Sequence, residues 1–190
     1  MFVNKTFILI FLLLLKISVF GQKIERETRI DKEKAPSEAV NFINDISSKK
    51  HVKWYIEKTS GKVSYESKFK HKGSFYSVEF DTLGYIEDVE VIIKPKKLDE
   101  NHKSTLRKAI QNDFEKFKWI KIQKQYSGER EALKKLFSGS TEHVELNYEI
   151  EIEAKTKDGD WELFELLINL QGEILKRRKI QLRPTDNLNY

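Results

Sequence analysis

The chain has 190 residues, and 35 Lys and Arg against 30 Asp and Glu give it a formal net charge of +5. It contains no cysteine, which excludes a disulfide scaffold, a thiolate zinc site, a cysteine nucleophile and a lipidated cysteine. Three prolines, eight glycines and 12% aromatic residues exclude a disordered or fibrous chain.

Residues 1–21 read as a secretory signal peptide. Lys5 supplies the positive start, Phe7 to Leu15 form an unbroken apolar run, and Val19 and Gly21 are small enough for a cleavage site. A membrane anchor needs about 20 apolar residues, and Lys16 ends this run after nine. Cleavage before Gln22 is therefore expected, leaving no stable membrane anchor. Without Lys5 and Lys16, 33 basic residues face 30 acidic ones. That balance is too mild to argue for nucleic acid. The expected place of the mature chain is periplasmic or extracellular, held together by core packing alone.

Residues 22–36 are dense in charge and read as a frayed lead-in. Pro36 and Ser37 then offer helix-start chemistry, and Ala39, Val40, Ile43 and Ile46 recur at helical spacing, so a short helix is expected over 37–47. From 52 to 94 the period becomes two. Strands around Trp54, Tyr65, Val78 and Val89 are separated by turns at Gly61, Gly73 and Gly84, the pattern of an antiparallel meander with one apolar and one charged face. Residues 96–103 read as a linker. Ser104 is the expected cap of a second helix bearing Leu106, Ala109, Ile110, Phe114 and Phe117. A strand follows over Trp119–Tyr126, then a short helical piece over 129–137 inside a 127–143 insert. Three further strands are expected over 144–154, 161–170 and 173–182, with a polar tail at 183–190.

The two halves match each other. Phe80-Asp81-Thr82-Leu83-Gly84-Tyr85-Ile86 aligns with Ile168-Asn169-Leu170-Gln171-Gly172-Glu173-Ile174. Asp or Asn bonds its own backbone at the turn start, and Gly accepts positive φ at its end. A strand with Trp (Trp54, Trp119) and a Tyr-Glu strand (Tyr65-Glu66, Tyr148-Glu149) precede each turn. This series resembles the secreted PepSY-like proteins, which resemble in turn the tandem-repeat fold of the β-lactamase inhibitor protein. The resemblance covers about 37–180. It implies an α+β fold of two tandem repeats (37–95 and 104–182), each a helix on a roughly four-stranded antiparallel meander sheet. It also implies an association with peptidase propeptides and inhibition rather than with catalysis.

Motifs for chemistry are absent. His51, His71, His102 and His143 lie in polar turns or linkers outside any metal-ligand spacing, and neither GxSxG nor SxxK occurs. No cofactor is implied. Glu149, Glu151 and Glu153 alternate away from Tyr148, Ile150 and Ile152 and are expected to face water, paired across strands with Lys176 to Lys179. The same alternation puts Trp161, Leu163 and Leu167 on the sheet face away from the helix, with Tyr55, Phe75 and Tyr85 in the corresponding place of the first half. Large apolar residues grouped on a sheet face mark a contact. The contact is either a partner or the 127–143 insert lying over them. The expected function is thus a non-enzymatic binding module that engages an exported protein or peptide, in its sharper form an inhibitor of a peptidase or other envelope enzyme. The alternative is a small-ligand carrier with a groove between the repeats.

Overall fold

The computed structural model describes residues 21–23, 26–46, 51–59, 61–156 and 159–180. The expected signal peptide, apart from Gly21, and the expected tail at 183–190 lie outside these residues. Ten strands form one sheet: β1 (Gly21–Lys23), β2 (Arg26–Ile30), β3 (Lys53–Thr59), β4 (Lys62–His71), β5 (Ser74–Phe80), β6 (Ile86–Ile92), β7 (Phe117–Gly128), β8 (Val144–Lys155), β9 (Trp161–Asn169) and β10 (Ile174–Ile180). Among the described residues three α-helices accompany it: α1 (Ser37–Ile46), α2 (Glu100–Asp113) and α3 (Arg130–Lys135).

The strand order is β1-β10-β9-β8-β7-β6-β5-β4-β3-β2. Every neighbouring pair from β2 to β10 is antiparallel, and β1 is added parallel to β10. This corrects the expected two tandem repeats of a helix on four strands. The sheet does not stop between the halves, because β6 pairs with β7 over Asp88–Ile92 and Gln123–Ser127. The reason is physical: a four-stranded sheet ending at β6 would leave a row of backbone N–H and C=O groups unpaired, and β7 supplies their partners.

Two further expectations change. The charged segment 22–36 contributes β1 and β2 rather than a frayed lead-in. An edge strand is held by backbone pairing, here Arg26–Ile30 with Trp54–Lys58, and needs few apolar side chains. The linker 96–103 is already helix from Glu100. Asp99 caps α2 by accepting a hydrogen bond from the His102 backbone N–H at 2.9 Å, so Ser104 lies inside the helix.

Both core clusters lie on one face of this sheet. Ala39, Phe42 and Ile43 of α1 pack on Trp54, Val78, Phe80 and Val89, with Phe42 edge-on to Phe80 at 5.9 Å. Leu106, Ala109 and Ile110 of α2 pack on Ile122, Tyr148, Ile150, Ile152, Leu166 and Ile168. Each fully buried Val, Leu, Ile or Phe among these contributes about 1.5–3 kcal/mol by leaving water. The 127–143 insert packs on this same face. Leu133 and Phe137 join the α1 cluster, and Lys134 reaches Asp45 of α1 at 2.7 Å. The insert therefore does not cover the opposite face, where Trp161, Leu163 and Leu167 lie.

The turns at Gly84 and Gly172 share one geometry. Asp81 Oδ1 accepts from the N–H groups of Leu83 and Tyr85, and Asn169 Oδ1 from those of Gln171 and Glu173. Each turn presses against a helix. A Cβ at Gly84 would lie 2.8 Å from Ala39 N and from Pro36 Cβ, and one at Gly172 would lie 2.9 Å from Thr105 Cγ2. Gly73 has the same φ as Gly84, +87°, with nothing within 4 Å of its would-be Cβ. Gly73→Ala is thus expected to lose about 1 kcal/mol for the left-handed backbone alone. Gly84→Ala is expected to lose at least about 2 kcal/mol, since it adds a clash with α1. Urea unfolding of the two variants measures the difference.

Candidate functional site

The sheet face away from the helices is set by the strand period. On β5, Tyr76, Val78 and Phe80 turn toward the helices, which leaves Phe75, Ser77 and Glu79 on the other side. Register carries that choice across the sheet, through Glu79↔Asp88, Glu149↔Leu167 and Glu151↔Glu165. Side chains from all of β2 to β9 line one groove of about 460 Å³ on this face. Eight strands laid flat would span about 30 Å or more, so a single groove shared by all of them means that the sheet curls toward this face.

Eight glutamates and two lysines, Lys68 and Lys121, are among the lining residues. Sequence alternation placed Glu149 and Glu151 in water. The structure has both half-buried among the residues that line the groove. Of the expected pairing with Lys176–Lys179, Lys176 keeps an electrostatic interaction with Glu149, and further ion pairs form besides. Glu151 pairs with Lys121, Arg177 with Asp113 at 2.9 Å, Arg178 with Glu165 at 3.2 Å, and Lys179 with Glu162 at 2.5 Å.

Two carboxylate triads form on this face, and all their members but Asp88 line the groove. One oxygen each from Glu27, Glu57 and Glu66 lies within 4.8 Å of the others, and so does one each from Glu79, Asp88 and Glu90. The first triad holds an ammonium: Lys68 Nζ is 3.0 Å from Glu27 Oε2 and 2.9 Å from Glu66 Oε2. Burial pulls the Lys68 pKa down, but Glu66 and Glu27 outweigh it and hold the group above the usual lysine range. Lys121 behaves alike, with burial opposed and overcome by Glu151, Glu149 and Glu90. In the second triad, Asp88 Oδ2 accepts from Gln125 Nε2 at 3.2 Å and Glu90 Oε2 from Gln123 Nε2 at 2.5 Å. Burial, reinforced by the surrounding carboxylates Glu79 and Glu149, pushes both Asp88 and Glu90 well above the usual carboxylate range. These triads were not legible in the sequence, since each needs residues from more than one strand.

The expected partner residues do not converge. Phe75 lies in the groove and is 59% exposed. Tyr55 is half-buried on the same face, under Lys68 at 5.0 Å from its ring centroid. Trp161 is 45% exposed at the start of β9, with Lys118 Nζ 5.0 Å over its ring, while Leu163 and Leu167 are half-buried. Tyr85 lies in the β5–β6 turn rather than on a strand. Sequence reasoning found the face but missed Ile92, a second apolar lining residue, 46% exposed.

Histidine meets a carboxylate at one described place outside the groove. His102 Nδ1 contacts Asp99 Oδ2, and the Tyr148 hydroxyl lies 3.2 Å from the same nitrogen. Both contacts fall on Nδ1, so the ring cannot relay a proton from the tyrosine to the aspartate. Burial, with Asp99 adding to it, pushes the Tyr148 hydroxyl up to about 12, the direction opposite to an activated nucleophile. His71, expected at the surface, is half-buried and packs edge-on to Tyr76 and Phe137.

Lys68→Met leaves the Glu27–Glu57–Glu66 triad without its ammonium. It is expected to lower unfolding free energy by about 1–3 kcal/mol, with Glu66→Gln in the same chain restoring part of the loss. The sign with pH follows from the raised lysine pKa. The contribution is full below the unfolded value of 10.5 and fades only as pH rises above it. Urea unfolding of wild type and variant is expected to give a constant gap from about pH 7 to about pH 9.

No protein-family model matches this chain, and no curated protein matches it significantly. The PepSY-like membership expected from the sequence thus has no family match behind it. Among solved structures, the chain resembles a DUF2874 family protein from Bacteroides ovatus with a TM-score of 0.51 and 12% identity, over 76% of this chain and 87% of that one. It also resembles a BLIP-like protein from Bacteroides fragilis with a TM-score of 0.48 and 12% identity, over 80% of this chain and 92% of that one. At such identity the first likeness is one of fold alone.

Proposed function

We propose that this chain is an exported, non-enzymatic binding module whose curved sheet face takes a basic, extended segment of a protein or peptide. The observation that carries this reading is the charge of the groove. The whole chain is net positive at +5, yet the residues that line the groove include eight glutamates against two lysines, with Arg178 beside them on Glu165. Opposite charge on a partner would be drawn to it and oriented by it. Phe75 and Ile92 supply apolar contact beside the acids, so a segment that alternates basic and apolar side chains fits best. A basic loop of an exported enzyme seated here would be blocked from its own substrate, which is the inhibitory form of the same proposal.

A carrier for small apolar ligands would need a predominantly apolar lining with few polar groups. The acidic lining favours the basic segment instead. Catalysis would need an activated group, and the His102–Tyr148 geometry argues against one there.

Fluorescence anisotropy with a labelled Lys/Leu-alternating peptide tests the proposal against a Glu/Leu-alternating control. Saturable binding of the first peptide alone is expected, weakening by about tenfold or more between about 50 and about 300 mM NaCl. Phe75→Ala and Glu27→Gln are each expected to weaken it further. Equal binding of both peptides, or no saturable binding of either, contradicts the proposal.

A further inference from the structure

The second carboxylate triad differs from the first in one respect. Lys68 places an ammonium between Glu27 and Glu66. No salt bridge reaches Asp88 or Glu90 among the described residues. Instead each takes one amide N–H from β7, Asp88 from Gln125 and Glu90 from Gln123, which fixes one carboxylate oxygen and leaves the other. Those other oxygens, Asp88 Oδ1 and Glu90 Oε1, are buried and have no hydrogen-bond partner. Gln123 Oε1 is in the same condition on a residue that is 4% exposed, as Glu90 is. Leaving a buried oxygen unsatisfied is costly, and here three such atoms stand on the adjacent strands β6 and β7.

The geometry points to a divalent-cation site of calcium type formed by Glu79, Asp88 and Glu90, with Gln123 contributing its carbonyl oxygen. Calcium takes oxygen ligands at about 2.3–2.6 Å, so two oxygens on one ion stand up to about 5 Å apart. One carboxylate oxygen from each member of the triad lies within 4.8 Å of the other two, which already meets that limit. Neutral carbonyl and anionic carboxylate oxygens are the hard donors this ion selects, and the triad offers no nitrogen or sulfur donor to favour zinc or copper. Gln123 and Gln125 hold the acids through their amide N–H groups, as outer partners do in metal sites. Glu79 and Asp88 are directly opposite across β5 and β6, so the ligands sit on paired strands rather than on a mobile loop. The site does not depend on the basic-segment reading.

The test uses the full chain, freed of metal with chelator and titrated calorimetrically with CaCl2 up to about 10 mM, above the range of extracellular calcium modules. One saturable site and a rise in melting temperature with CaCl2 are expected. Asp88→Asn and Glu79→Gln should each weaken binding at least about tenfold, while Glu27→Gln, in the triad held by Lys68, should leave it unchanged. Circular dichroism checks each fold, and Glu79→Gln keeps the test open should Asp88→Asn fail to fold. Neither saturable heat nor a melting shift, or wild-type affinity in the correctly folded acid variants, overturns the site. Loss of binding in Glu27→Gln alone also overturns it, placing any ion in the other triad. Peptide anisotropy in calcium-free buffer reports separately on the basic segment, so either reading can fail without the other.

Discussion

The hydrogen-bonded pairing of β6 with β7 is the constraint on which the remaining features depend. It joins Asp88–Ile92 to Gln123–Ser127 and makes one sheet of two halves that each carry their own helix and core cluster. Because register fixes which side chains share a face, this one junction puts the outward residues of β5 and β6 beside those of β7 and β8. Asp88 and Glu90 meet Gln125 and Gln123 there, and Lys121 meets Glu151 one strand further on. The groove is a property of the joined sheet, since its lining runs from β2 to β9 across the junction.

The two faces of the sheet have opposite energetic roles. The helix side is dry and apolar, with Phe42, Val78, Phe80, Ile150, Ile152 and Leu166 fully buried, and it supplies the stabilising burial. The groove side collects charge that a fold selected for stability alone would have spread out. Glu66, Glu90 and Glu165 are nearly buried, and like charges held together in a curved face repel. Lys68, Lys121 and Arg178 offset part of that repulsion. Proteins tolerate such local conflict where it serves binding. The 127–143 insert packs beside α1, where it adds Leu133 and Phe137 to the apolar side.

Local structure was legible in the sequence, and the assembly was not. The period of two located every strand from β3 to β10 within a few residues, and the Asp81 and Asn169 turns formed as their side-chain chemistry dictates. Edge strands β1 and β2 were missed because backbone pairing, unlike burial, leaves no hydrophobic pattern. The start of α2 was missed because Asp99 was read as linker charge rather than as a cap. The single sheet was missed because the β6–β7 pairing joins segments separated by a helix, and alternation reports faces but not which strands are neighbours. Curvature is likewise absent from a sequence pattern. That is why Glu149 and Glu151, placed on the right face, were expected in water and are found half-buried. Trp161, Leu163 and Leu167 were also placed on the right face, yet the groove centres on Phe75, Ile92 and the acids.

The acidic sheet face, and not the helix side, is the proposed binding surface. Chemical-shift mapping of the isotope-labelled chain during addition of a Lys/Leu-alternating peptide tests this most directly. The account predicts that the largest shifts follow the outward positions of β4 to β8, among them Phe75, Glu79, Gln123 and Glu149. Shifts gathered instead on α1, α2 and the 127–143 insert, or confined to the Trp161 end of β9, would contradict it.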